Sequence, residues 1–363
     1  MPSRTRSRTD LDRPATYQRL DPRGMLGFAV DFPAQVAEAA QIGRRFGAPA
    51  SLRNPAAVVI AGMGGSAVVG DFLARLCEDR TAAPVIVCRH YQPPAIVGPR
   101  TLFVASSHSG NTEETLAAAQ AARRRGARML CITTGGKLAA FAQRHQIPLI
   151  RIPQTDPPMP PRAALGYSFI PLASVFGALG LLPSFARHFA EAQALLARLR
   201  DQLRPEVPAR ANRAKQLAHA LHGRIPWVHG TVGVLSAAAY RWRCQFNENS
   251  KMLAYSAEYP ELNHNEVVGW EVDPALARRI AVIALESPGD HRRVRARVAI
   301  TREIIGGKAP VHIIEAEGRS PLARLVSAVY LGDFTSLYLA FLNRVDPSSI
   351  AAINELKRRL AEL

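Results

Sequence analysis

The chain has 363 residues, 48% apolar and 21% charged, a length that calls for two cores rather than one and a composition that excludes disordered or collagen-like chains. Its net charge of +17 raises nucleic acid as a ligand, but the arginines are scattered or sit in short runs such as 123–125 and 292–297 with few aromatics between them, so no nucleic-acid partner is expected. The cysteines Cys77, Cys88, Cys131 and Cys244 form no CxxC pair, which argues against a zinc ribbon or a disulfide framework and for buried, reduced thiols.

Residues 1–24 carry many Arg, Asp, Ser and Pro without periodicity and read as a flexible basic leader. No uninterrupted apolar signal core follows it, and a cytoplasmic location is expected. No apolar run reaches the roughly 18 residues that cross a bilayer, since the stretch around Ile170 to Leu182 is broken by Pro and Gly, so no membrane partner is expected. Apolar residues at helical spacing over 32–46, with Pro33 at the start, predict a first helix. The β-branched run 56–61 ends in Gly62-Met63-Gly64-Gly65-Ser66, and 67–77 alternates as a helix does. Strands at 84–88, 101–105 and 129–133 and a helix over 113–125 continue the alternation. Five prolines between 153 and 161 mark a boundary, dividing the chain into lobes at 25–152 and 153–363. Beyond it, 167–182 and 185–222 read as helical. A second strand-glycine-helix unit then runs from Ile225–His229 through Gly230 and Gly233 into 235–247, so the second lobe repeats the plan of the first. Strands at 280–285 and 311–315 and helices at 320–342 and 349–363 close the chain. The fold class is α/β, each lobe a doubly wound, flavodoxin-like parallel sheet flanked by helices.

Two strand-to-helix turns carry chemistry. Gly62, Gly64, Gly65 and Ser66 sit where a helix N-terminus favours an anion, although a tight structural turn explains the same glycines. The turn lacks both the last spaced glycine of a dinucleotide fingerprint and the lysine of a P-loop. The second turn crowds Ser106, Ser107, Ser109 and Thr112 around Gly110-Asn111 ahead of Glu113, more hydroxyls than one helix cap needs. Together they outline a crevice for a phosphorylated small molecule. In the second lobe, 246–251 and 259–266 concentrate polar side chains. Glu248 is either an acid-base carboxylate or a helix-end partner of Lys251, and His264 is either a proton donor or a hydrogen-bonded loop residue. The residues alone leave both choices open.

The motifs Gly62-Met63-Gly64-Gly65-Ser66 and Ser107-His108-Ser109-Gly110-Asn111-Thr112-Glu113-Glu114-Thr115 resemble the sugar isomerase (SIS) domain. Asn247-Glu248-Asn249-Ser250-Lys251 and Pro260-Glu261-Leu262-Asn263-His264-Asn265-Glu266 are similar to the two signatures of the bifunctional phosphoglucose/phosphomannose isomerases, and the likeness continues through 161–168, 320–324 and 346–357. The resemblance implies an aldose-ketose isomerase acting on glucose and mannose 6-phosphates through a cis-enediolate, with no metal and no cofactor. It implies phosphate contacts from Gly65, Ser66, Ser107, Ser109 and Thr112. It makes Glu248 the base and has His264 assist ring opening from the partner subunit of a homodimer. Arg162 and Lys357 supply positive charge at the enediolate. His108 stands where relatives show an aromatic residue, and Ser348 stands in place of a threonine next to proline as a possible substrate contact. The competing reading is a non-catalytic SIS-type regulator, which keeps the serine loops but lacks Glu248 and His264 and adds a DNA-binding helix pair. A metal-dependent isomerase would need a His/Glu/Gln ligand cluster on an all-β frame.

Overall fold

The computed structural model describes residues 10–360 and 362. Strands β1 (Ala57–Ala61), β2 (Val85–Cys88), β3 (Thr101–Ser106), β4 (Arg128–Thr133) and β5 (Leu149–Arg151) form a five-stranded parallel sheet in the order β2-β1-β3-β4-β5. Every residue of β1 and β3 is buried, as expected of apolar strands covered on both faces. Strands β6 (Ile225–Thr231), β7 (Tyr255–Tyr259), β8 (Ile280–Glu286) and β9 (Val311–Glu315) form a four-stranded parallel sheet in the order β7-β6-β8-β9. Within each lobe the second strand lies beside the first and the third on the first's other side, so both sheets wind outward from a switch point, at β1/β3 and at β6/β8. The expected α/β architecture of two doubly wound parallel sheets is therefore present.

Helices join the sheets. Gly65–Cys77, which leaves the first glycine turn, packs on Val234–Glu248 of the second lobe, and Phe32–Phe46 packs on Leu165–Ala178. One hydrophobic cluster runs from Leu11 to Leu342 through both lobes. Its axis is Pro321–Leu342, a helix of 22 residues whose most apolar window has a mean hydropathy of 1.5, long and apolar enough to cross a membrane. The sequence predicts this helix at 320–342, and Arg324 and Asp333 interrupt its apolar run. In the fold, 94% of its most apolar window is buried against other helices, which makes it a core element.

Other elements depart from the sequence reading. The stretch 185–222 is two helices, Phe185–Leu203 and Arg213–Leu221, because Pro205 and Pro208 interrupt it and Asn212 Oδ1 caps the second through the Ala214 and Lys215 N–H groups. Helix Gly136–Arg144 and strands β5 and β7 were not anticipated. The basic run 292–297 belongs to a helix, Arg292–Ile305, that turns Val294 and Val298 inward and most of its arginines to solvent. The four cysteines are free, three of them buried, and burial pushes the Cys77 and Cys131 thiols up to about 12.

Residues 10–24 are not the expected flexible leader, while residues 1–9 of that leader lie outside the described residues. Pro14–Leu20 is a helix, Leu11 is buried, and the Tyr17 ring meets Phe341 edge-on. The anchor is Lys215, whose fully buried side chain donates to Asp12 Oδ1 (2.9 Å) and the Pro205 carbonyl (2.8 Å) beneath the rings of Tyr17 and Tyr338. Burial raises the Asp12 carboxyl, but Lys215 and the Ala209 N–H outweigh it and hold the group below its ordinary value. Its contribution is therefore present above the usual carboxylate range and lost as pH falls through the depressed value. Asp12→Ala leaves a buried ammonium short of one partner. It is expected to cost about 1–3 kcal/mol, read as a lower thermal midpoint at pH 7, and an unchanged midpoint would remove this segment from the folded core.

Candidate active site

The first switch point gathers the two glycine-serine turns at the carboxyl ends of β1 and β3. A Cβ placed on Gly62 would stand 3.1 Å from the Ser106 carbonyl oxygen, so glycine lets the turns touch. Helix Gly65–Cys77 starts with no side-chain cap and no acidic residue in its first turn, which leaves its positive end uncompensated. Ser66 is buried in that turn. In the second turn Thr112 precedes helix Glu113–Arg124 but does not cap it. Its hydroxyl lies 2.8 Å from Ser107 Oγ, and Ser107 Oγ also accepts the Gly110 N–H at 3.1 Å. Ser109 is exposed and accepts the Asn111 N–H. The Ser107 and Thr112 hydroxyls thus face each other across the second turn. The His108 ring is largely buried and shares a backbone hydrogen bond with Met159. Burial lowers its pKa, and Nδ1 has no partner among the described residues.

Arg162 lies beside the first glycine turn. A side chain at Gly65 would lie 3.4 Å from the Pro161 carbonyl oxygen and 3.7 Å from Arg162 Cα, so the first glycine turn abuts the proline-rich crossing. The guanidinium is buried. Nε donates to Asn249 Oδ1 (2.7 Å), Nη2 to the Pro347 carbonyl, and Nη1 lies 3.5 Å from Glu248 Oε2. Ser348, next to Pro347, is also buried, its hydroxyl donating to Asp346 Oδ1 at 2.6 Å. The structure therefore brings Arg162, Glu248 and the Ser348 segment together beside Gly65 and Ser66.

The Glu248–Lys251 ion pair considered from spacing does not form. Lys251 adopts a positive φ and its ammonium donates to the Glu248 carbonyl at 2.5 Å, while the carboxylate faces Arg162. Several supports went unread in the sequence. Asn249 Nδ2 donates to Ser336 Oγ, Ser250 Oγ donates to the Ser336 carbonyl, and Arg241 holds both Asp333 carboxylate oxygens while donating to the Arg162 carbonyl. Burial raises the largely buried Asp333 carboxyl, with Arg241 opposing. Their only sequence signal is polar residues on otherwise apolar helices, here 234–248 and 321–342.

His264 and Lys357 are not gathered with Glu248 in one chain. β7 runs parallel to β6 and ends level with it, the Val232 N–H donating to the Tyr259 carbonyl at 3.0 Å, so the turn Glu261–His264 lies at the N-terminal end of helix Val234–Glu248. Glu248 is at the other end, about 20 Å away at 1.5 Å per residue. Lys357 lies on helix Ala351–Leu360, every residue of which is exposed.

Two parallel lobes with a serine-lined switch point define a protein of the sugar isomerase domain class. Residues 51–156 match the SIS domain model and residues 210–360 the bacterial phospho-glucose isomerase C-terminal SIS domain model. The chain belongs to the family of bifunctional phosphoglucose/phosphomannose isomerases. It is 42% identical to that enzyme of Caldicellulosiruptor bescii over 92% of this chain and 98% of the relative, and 36% identical to that of Thermoplasma acidophilum over 84% and 89%. The fold is also similar to a glucose-6-phosphate isomerase like protein from Thermus thermophilus, at a TM-score of 0.65 and 22% identity, covering 95% of this chain and 99% of that one.

Gly110 gives this site a sharp test. Its φ is +70°, and a Cβ there would stand 1.9 Å from the Gly135 carbonyl oxygen, a contact with backbone that has no room to yield. Gly110→Ala is expected to destabilise the fold by about 1–3 kcal/mol and to weaken binding of inorganic phosphate measured by titration calorimetry. Unimpaired phosphate binding would place the anion elsewhere.

Proposed function

We propose that the protein interconverts glucose 6-phosphate and mannose 6-phosphate with fructose 6-phosphate, by proton transfer between C1 and C2 through a cis-enediolate. The observation that carries this reading is the Glu248 carboxylate held 3.5 Å from buried Arg162, beside a crevice lined with hydroxyls. Ser66, Ser107, Ser109 and Thr112, with the backbone at Gly65, bind the phosphate. Glu248 removes the proton from one carbon and returns it to the next on the same face. Arg162, fixed by Asn249 and Pro347, stands where negative charge develops on the enediolate oxygens, and a preorganised cation there lowers the barrier without having to move. Lys357, exposed on the C-terminal helix and not gathered with Glu248 in its own chain, is assigned a second cation's role from the family resemblance alone. Ser348, locked to Asp346, borders the C2–C3 side and bears on the glucose-to-mannose preference.

A coupled assay offering each aldose 6-phosphate to chelator-treated protein tests the reaction directly. Turnover of both without added metal is expected, since every proton transfer is assigned to a side chain. Activity that returns only with a divalent ion would overturn the mechanism.

His264 acts in the site of the partner subunit of a homodimer. The reading is supported by its exposure and by the helix length that separates it from Glu248 in its own chain. Refolding a mixture of Glu248→Gln and His264→Ala chains should then recover activity approaching roughly a quarter of wild type, because half the dimers are mixed and each holds one intact site. Mixed dimers that form but stay inactive would assign both residues to a single chain or remove one from the chemistry.

A further inference from the structure

The residues around His264 are pinned and His264 is not. Leu262 is buried in a cluster with Tyr259, Ala284, Val294 and Val298. Asn263 Nδ2 donates to Thr301 Oγ1 of helix Arg292–Ile305 at 2.7 Å. Asn265 Oδ1 accepts the Glu266 N–H, and its Nδ2 donates to Glu261 Oε1. Glu266, whose side chain is only 10% exposed, receives two donors from β6 on one oxygen, Trp227 Nε1 at 2.9 Å and His229 Nε2 at 2.7 Å. His264 is exposed like Glu261 and Asn265, but unlike them it has no side-chain partner among the described residues.

His229 makes this arrangement a closed loop. Its imidazole is fully buried on β6, with Nε2 on Glu266 and Nδ1 3.3 Å from the Tyr259 hydroxyl. A carboxylate only accepts, so Nε2 carries a proton, while Nδ1 lies within hydrogen-bond reach of the Tyr259 hydroxyl. Tyr259 precedes the 260–265 turn and Glu266 follows it, so one imidazole ties both ends of the segment that displays His264. Trp227 holds the same carboxylate from two residues earlier on the strand, which fixes its rotamer. A residue meant to reach another chain cannot be aligned by its own site, and the direction of its backbone is then set entirely by such anchors.

We propose that Glu266 is a positioning residue for His264, acting through His229 and Trp227 to fix the angle at which the imidazole leaves its own subunit. The proposal rests on the reading above that His264 serves the partner's site. The test is a double-mutant cycle on the full-length enzyme with Glu266→Ala, His264→Ala and the pair, measuring kcat and KM for the isomerisation. Glu266→Ala is expected to lower kcat by at least about ten-fold while KM stays within about two-fold. In the His264→Ala background it should lower kcat no further. Glu266→Gln, which keeps Oε1 as an acceptor, should restore most of the rate. Losses that multiply in the double variant, or an unchanged kcat in Glu266→Ala, would leave Glu266 a purely structural residue and overturn the proposal. Full activity in His264→Ala would instead overturn the reading on which it rests. Should Glu266→Ala fail to fold, Trp227→Phe removes one of the two donors, keeps an aromatic ring, and is carried through the same cycle with the same outcomes.

Discussion

The buried guanidinium of Arg162 is the constraint around which the site is organised. Taking such a charge out of water costs several kcal/mol unless its donors are met. Here they are met by two stretches far from it in the chain: the adjacent Glu248 and Asn249, and the Pro347 carbonyl. The residue therefore cannot be satisfied until the proline-rich crossing, the end of helix Val234–Glu248 and the C-terminal segment have all arrived. The Arg162 carbonyl is held in turn by Arg241, whose other hydrogen bonds go to Asp333 on the central helix. That helix, apolar over most of its length, uses Asp333 and Ser336 to fix the polar residues that fix Arg162. The glycine turn at Gly65 is close enough to feel any displacement.

The two lobes share a winding order and use it differently. In the first, the switch point carries hydroxyl-bearing turns and an uncapped helix end. In the second, the same topology supplies a helix whose far end bears Glu248 and a neighbouring edge strand that leads into His264. A rigid helix of 15 residues keeps those two groups apart within one chain. The division of the acid-base groups between subunits is thus proposed from helix geometry as well as from resemblance.

The excess of arginine has a use inside the fold. Arg128 donates to the carbonyls of Arg53, Asn54 and Arg100, Arg125 to those of Pro93 and Pro94, and Arg224 to that of Arg278. A planar group with several fixed donors can join loop carbonyls that no strand or helix would satisfy. Part of the net charge of +17 therefore ties connections between strands, and another part lines the solvent face of helix Arg292–Ile305.

The sequence by itself determined the alternation of strand and helix, the two-lobe plan and the glycine-serine turns, because these depend on short-range patterns: β-branched runs, helical periodicity, and glycines followed by hydroxyls. It also marked Glu248 and His264 through local polar density, but their roles came from resemblance, since spacing could not distinguish a base from a helix-end charge. Tertiary structure decided what Glu248 faces, turning it from Lys251, three residues on, to Arg162, 86 residues earlier. It alone folded residues 10–24 over Lys215, made 321–342 a core helix, and joined Tyr259, His229 and Glu266 around the His264 turn. Each of these rests on groups far apart in the chain whose burial is tolerated only once a partner from another element is in place. No window of sequence contains both members of such a pair.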